Sequence, residues 1–93
     1  MRIIGTIDHP SLKITVFKMN ERLSVKLESG LYEQTFKFRS GEGVDTLEDV
    51  KNFIDAGFIE GVSENLQRMH QLKMTTLSRQ LPNAEEEEFE EII

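Results

Sequence analysis

The sequence predicts an α+β fold. We expect a four-stranded antiparallel β-meander with one face covered by C-terminal helix (one bent helix or two consecutive ones), then a disordered acidic tail. Three observations predict it. Residues 1–39 alternate apolar and polar positions with many β-branched and aromatic side chains, the period of half-buried strands. Turn chemistry interrupts that run at short intervals. From residue 45 onward the apolar spacing becomes helical. The expected division is a single ββββα domain over residues 1–82 and a flexible acidic tail over residues 83–93.

The expected strands are residues 2–8, 12–19, 22–28 and 31–39. Their connections are His9-Pro10-Ser11 with its flanks, Asn20-Glu21 and Ser29-Gly30, where Asn and Gly tolerate the positive φ of tight hairpins. Ser40-Gly41-Glu42-Gly43 breaks the pattern. Asp45 then reads as an N-cap, with Glu48 three residues on in the manner of a capping box. Leu47, Val50, Phe53, Ile54, Phe58, Val62, Leu66 and Met69 follow at helical spacing, and Gly57 and Gly61 mark where this helix would bend or divide. A second stripe of His70, Met74, Leu77 and Leu81 is rotated from the first by about 90° at 100° per residue. Pro82 ends the helix.

Two-residue turns at Asn20-Glu21 and Ser29-Gly30 set a register, and a one-residue slip would invert every face. In that register Val16 opposes Val25, Leu27 opposes Tyr32, and Arg22 opposes Lys37; Ile3 lies beside Val16 and Arg2 beside Phe17. The covered face then carries Ile3, Ile7, Ile14, Val16, Leu23, Val25, Leu27, Tyr32, Phe36 and Phe38. The open face carries six cations (Arg2, Lys13, Arg22, Lys26, Lys37 and Arg39) against Glu28 and Glu33, with Ile4, Phe17, Met19 and Leu31 among them. A solvated polar surface is the ordinary role of such a face. Arg22 opposite Lys37, however, is a like-charge pair that an intervening anion would relieve.

Charge is sorted along the chain. Residues 1–39 hold seven basic and four acidic groups, residues 40–84 four and seven, and the tail adds Glu85 to Glu88, Glu90 and Glu91, giving −6 in all. The chain has no cysteine, which excludes disulfides, thiol catalysis and cysteine-based zinc sites. No segment could span a bilayer and no signal peptide is evident, so a cytoplasmic protein without membrane attachment is expected. Phosphate loops, nucleophile elbows and zinc motifs are absent. Asp8-His9 sits among turn formers, and His70 lies on an apolar stripe, so neither points to catalysis. No enzyme activity, cofactor or metal is expected.

Basic groups along a sheet with an aromatic between them are how proteins hold single strands without reading sequence. Four meander strands followed by a helix resemble the repeat plan of Whirly and Pur-type single-stranded DNA binders. The tail segment "EEFEEII" resembles the acidic C-terminal peptides of bacterial single-stranded DNA-binding proteins, though without their Pro-Phe ending. The expected function is therefore a small binding module: a weak, sequence-tolerant binder of single-stranded DNA or RNA through Arg2, Lys13, Phe17, Arg22, Lys26, Lys37 and Arg39. Phe89, Ile92 and Ile93 would serve an autoinhibitory tail, or one that docks on a partner protein's basic groove. The alternative is a homo-oligomeric adaptor or structural protein whose basic face and His70, Met74, Leu77, Leu81 stripe are protein interfaces. A homo-oligomer is expected under either reading.

Overall fold

The computed structural model describes residues 1–80. Strands β1 (Arg2–Ile7), β2 (Lys13–Met19), β3 (Arg22–Ser29) and β4 (Tyr32–Lys37) form one sheet in the order β1-β2-β3-β4, followed by helices α1 (Leu47–Phe53) and α2 (Ala56–Gln80). Every neighbouring pair is antiparallel. Leu81, Pro82 and the acidic tail with Phe89, Ile92 and Ile93 lie outside the described residues.

The β2–β3 hairpin follows the expected register, with Val16 opposite Val25 and Met19 opposite Arg22. Asn20 (φ 52°) and Glu21 (φ 65°) both occupy the positive-φ region that a type I′ turn requires. The second hairpin differs from expectation. Its turn is Gly30-Leu31, not Ser29-Gly30, and Gly30 takes the first central position at φ 59°. The register therefore shifts by two residues: Val25 opposes Phe36, and Ser24, not Arg22, opposes Lys37. A two-residue shift preserves the faces, because side chains alternate with period two. Leu31 leaves the sheet for the turn.

Strand β1 departs more. Ile3 pairs with Phe17 but Gly5 pairs with Val16, so Ile4 is the extra residue of a β-bulge. The bulge inverts the start of the strand. Ile3 joins Phe17 on the open face at 60 % exposure, and Ile4 packs against the core. Arg2 pairs with Lys18, whose other neighbour is the core residue Leu23, so Arg2 belongs to the covered side and not to the open face. Gly5 supplies the space. A Cβ there would lie 2.8 Å from a Leu47 methyl group, so the glycine lets the start of α1 close onto the sheet.

Helix α1 begins one residue later than the sequence suggests. Thr46, not Asp45, is the N-cap: its hydroxyl accepts the Asp49 N–H at 3.1 Å, and the Asp49 carboxylate accepts the N–H groups of Thr46 and Asp45. Asp49 thus replaces Glu48 as the reciprocal partner, because with Thr46 as the N-cap the third helical position is Asp49. These bonds hold the Asp49 carboxyl below the usual carboxylate range, the Asp45 amide most and the Thr46 hydroxyl next. The stability this adds is present above about pH 4, the unfolded value. It is lost as pH falls through the lower folded-state value. An Asp49→Ala protein should show a flatter decline of thermal stability between about pH 4 and pH 2 than the parent, measured by circular dichroism.

There are two helices, and the division falls at Ile54-Asp55 rather than at the glycines. Asp55 accepts the Phe58 N–H on its carboxylate at 2.8 Å and the Ile59 N–H on its carbonyl at 3.0 Å, which starts α2 afresh. Gly57 and Gly61 both lie within α2. Val50 of α1 and Val62 and Leu66 of α2 are buried against Ile14, Val16, Leu23, Val25 and Leu27, each worth roughly 1.5–3 kcal/mol. Phe38, Phe53, Phe58 and Phe36 form a chain of edge-to-face rings with centroids 4.9–5.0 Å apart, tying β4 to both helices. Gln34 adds the polar link, donating to the Val62 carbonyl at 2.8 Å and accepting from Asn65 at 3.2 Å.

At 1.5 Å per residue, the 25 residues of α2 span about 37 Å, well beyond a strand of six to eight residues. Beyond Met69, Tyr32 ties the helix to the sheet: it meets His70 through a 2.9 Å hydrogen bond to Nδ1 and lies under the Lys73 ammonium. Among the described residues, no helix is long and apolar enough to cross a membrane.

Candidate functional site

The open face is organised in rows that cross all four strands. One row reads Ile3, Phe17, Ser24, Lys37, apolar over β1 and β2 and polar to cationic over β3 and β4. Toward the Asn20-Glu21 turn, Met19 pairs with Arg22 and repeats the change from apolar to cationic. Met1, Met19, Asn20, Arg22, Ser24, Lys37, Phe38 and Arg39 together line a concavity of about 650 Å³. Among the described residues no carboxylate lines it. Arg22 and Lys37 are not opposite each other, yet as diagonal neighbours across β3 and β4 they remain within reach of one ligand.

Toward the Gly30-Leu31 turn the face changes character. In the row Thr6, Thr15, Lys26, Thr35 the central Thr15 is only 4 % exposed, while Thr6 and Thr35 on the edge strands are exposed. Lys13 opposes Glu28, and Glu28 opposes Glu33, so carboxylates offset the cations there. Lys26 is doubly engaged: its ammonium lies 3.6 Å from Glu28 and 5.4 Å from the Phe17 ring centroid. That is the only ion pair among the described residues, and its half-exposed setting makes it worth well under 1 kcal/mol.

Of the seven residues expected on the binding face, the fold brings Arg22, Lys37 and Arg39 around one concavity, with Phe17 beside it. Lys13 and Lys26 stand apart with Glu28, and Arg2 is on the other side of the sheet. Phe17 is half-buried under Lys26 and is not a free stacking platform. Two contributors escaped the sequence reading: Ile3, expected on the covered face, and Met1. The signal for Ile3 was Gly5, since a lone glycine in a β-branched run marks a bulge or a close approach. Of the residues expected at an oligomer interface, His70 bonds to Tyr32 within the chain, and Met74 and Leu77 are each 39 % exposed. The chain matches no protein-family model, no curated protein and no solved structure.

Proposed function

We propose that the basic end of the open sheet face binds single-stranded nucleic acid without reading its sequence, and that the acidic residues 83–93 compete for the same face. The observation that carries this reading is the concavity formed by Arg22, Lys37 and Arg39, cationic and without a carboxylate in its described lining. Three unneutralised cations within one recess repel one another, and a bound phosphate removes that cost. The rows supply the second requirement. With phosphates over β3 and β4, the bases of a strand laid along the sheet direction fall over Ile3, Phe17 and Met19. Apolar contact there is tolerant of base identity. Binding rests on phosphates first, since Lys26 must move before a base can stack on Phe17.

The tail brings six carboxylates, and tethering gives it a local concentration on the order of millimolar. Removing residues 84–93 should therefore tighten binding of a fluorescently labelled oligothymidylate, measured by anisotropy, with the gain largest at low salt because both contacts are screened. Equal affinities with and without the tail at low salt would exclude the competitor role.

A second reading, self-association, is favoured by one observation. Near the end of α2, Met74 and Leu77 on one flank and Leu72 on the other (67 % exposed) are large apolar side chains left exposed. A homo-oligomer through this half-helix predicts that Met74→Glu with Leu77→Glu shifts the sedimentation coefficient at tens of micromolar, where marginal interfaces assemble. A parent protein that is wholly monomeric there would count against it.

A further inference from the structure

The opposite end of the molecule holds a second recess, on the helix side of the sheet. It has a volume of about 390 Å³ and lies between the β1–β2 loop and the α1–α2 junction. Its apolar walls are Ile7, Ile14, Ile54 and Ile59, and it exists because of the way the helices meet. Helix α1 stops at Phe53, Asp55 turns the chain, and α2 opens with Ala56, whose single methyl group fills little of the space beside Ile7 at the end of β1. Ile7, Ile54 and Ile59 are each only half-buried as a result.

Asp8, Asp55 and Glu60 line the same recess, and among the described residues no lysine or arginine does. His9, the remaining lining residue, accepts the Ser11 N–H on Nδ1 at 3.1 Å. Asp55 is committed to capping α2, whose positive N-terminal end its charge offsets. Asp8 and Glu60 are exposed, with no ion-pair partner among the described residues. From this combination we infer that the recess is a binding site for a small organic ammonium, a primary amine carried on a compact apolar body. The body fills the isoleucine-walled hollow, whose volume suits a small ligand. The ammonium meets Asp8 and Glu60 at the mouth. The same carboxylates reject an anion of identical shape, so the charge pattern sets the selectivity as well as the attraction. Among the described residues no grouping of His, Asp and Glu is arranged to hold a metal ion, so the rim carboxylates are not accounted for in that way.

The test uses the full chain labelled at the isoleucine and valine methyl groups, titrated by NMR with three isosteric probes: phenethylammonium, 2-phenylethanol and phenylacetate. Phenethylammonium should move the Ile7, Ile14, Ile54 and Ile59 methyl signals and bind about fivefold more tightly than the alcohol, the size expected of partly screened ion pairs. Phenylacetate should move them least. Asp8→Asn with Glu60→Gln, which leaves the Asp55 cap in place, should bring the amine and alcohol affinities together while the Val16 and Val25 methyl signals stay where they are. The inference is overturned if the amine leaves the four methyls unmoved, if the alcohol binds as well as the amine to the parent, or if the doubly substituted protein keeps the preference.

Discussion

Replacing Arg22, Lys37 and Arg39 together by alanine, in protein lacking residues 84–93, should weaken binding to a labelled single strand about a hundredfold at roughly 50 mM salt. Each phosphate contact contributes about 0.7 to the logarithmic salt slope on single strands, so three lost contacts reduce it by about two. The effect is specific to position. Lys13→Ala with Lys26→Ala removes nearly as much charge, yet from the end of the face where Glu28 and Glu33 already offset it. That pair should cost only a few-fold. Equal losses from the two sets would mean that the protein attracts nucleic acid through net charge alone, without a site. Anisotropy titrations at three salt concentrations separate the two outcomes.

Leu27→Ala should lower stability by about 2–5 kcal/mol, a shift of some 10–25 °C in the thermal midpoint for a domain of this size. Leu27 is fully buried at the centre of the sheet, and its neighbours on the covered face leave a truncated side chain's space unfilled. Lys26→Ala, one residue earlier on the other face, should change stability by no more than about 0.5 kcal/mol, since its pair with Glu28 is partly exposed. Denaturant unfolding of the two proteins reads the contrast directly. A large loss from Lys26→Ala would contradict the placement of these two neighbours on opposite faces.

The strand count, the antiparallel order and the faces of β2, β3 and β4 were legible because apolar alternation and Asn20-Glu21 constrain them together. Face assignment survived even the two-residue displacement of the second hairpin, since only odd shifts exchange faces. Gly30 serves a turn from either central position, and the sequence alone did not distinguish them. The bulge at Ile4 was less legible, because Ile3 and Ile4 are equally apolar and only tertiary packing, which sets Ile4 against the core and Leu47 against Gly5, decides which one turns inward. That single residue removed Arg2 from the expected face and put Ile3 onto it. The helix boundary at Asp55 was written in its capping carboxylate, yet Gly57 and Gly61 offered a louder signal for a break. Tertiary packing of Phe58, Val62 and Leu66 overrides their low helix propensity. The basic concavity was legible in part: the expected register already placed Arg22, Lys37 and Arg39 at one end of the open face, and the observed one sets Lys37 beside Ser24 there.

The location of binding is the central claim, and backbone amide NMR of the protein lacking residues 84–93, titrated with a short oligothymidylate, tests it most directly. The proposed site predicts shifts confined to the open face at one end: Ile3, Phe17, Met19, Arg22, Ser24, Lys37 and Arg39. The amides of Val62, Leu66 and the rest of α2 should stay in place. Shifts centred on α2 residues 70–77, or a spectrum unchanged at millimolar oligonucleotide, a concentration at which even weak phosphate contacts register, would contradict it.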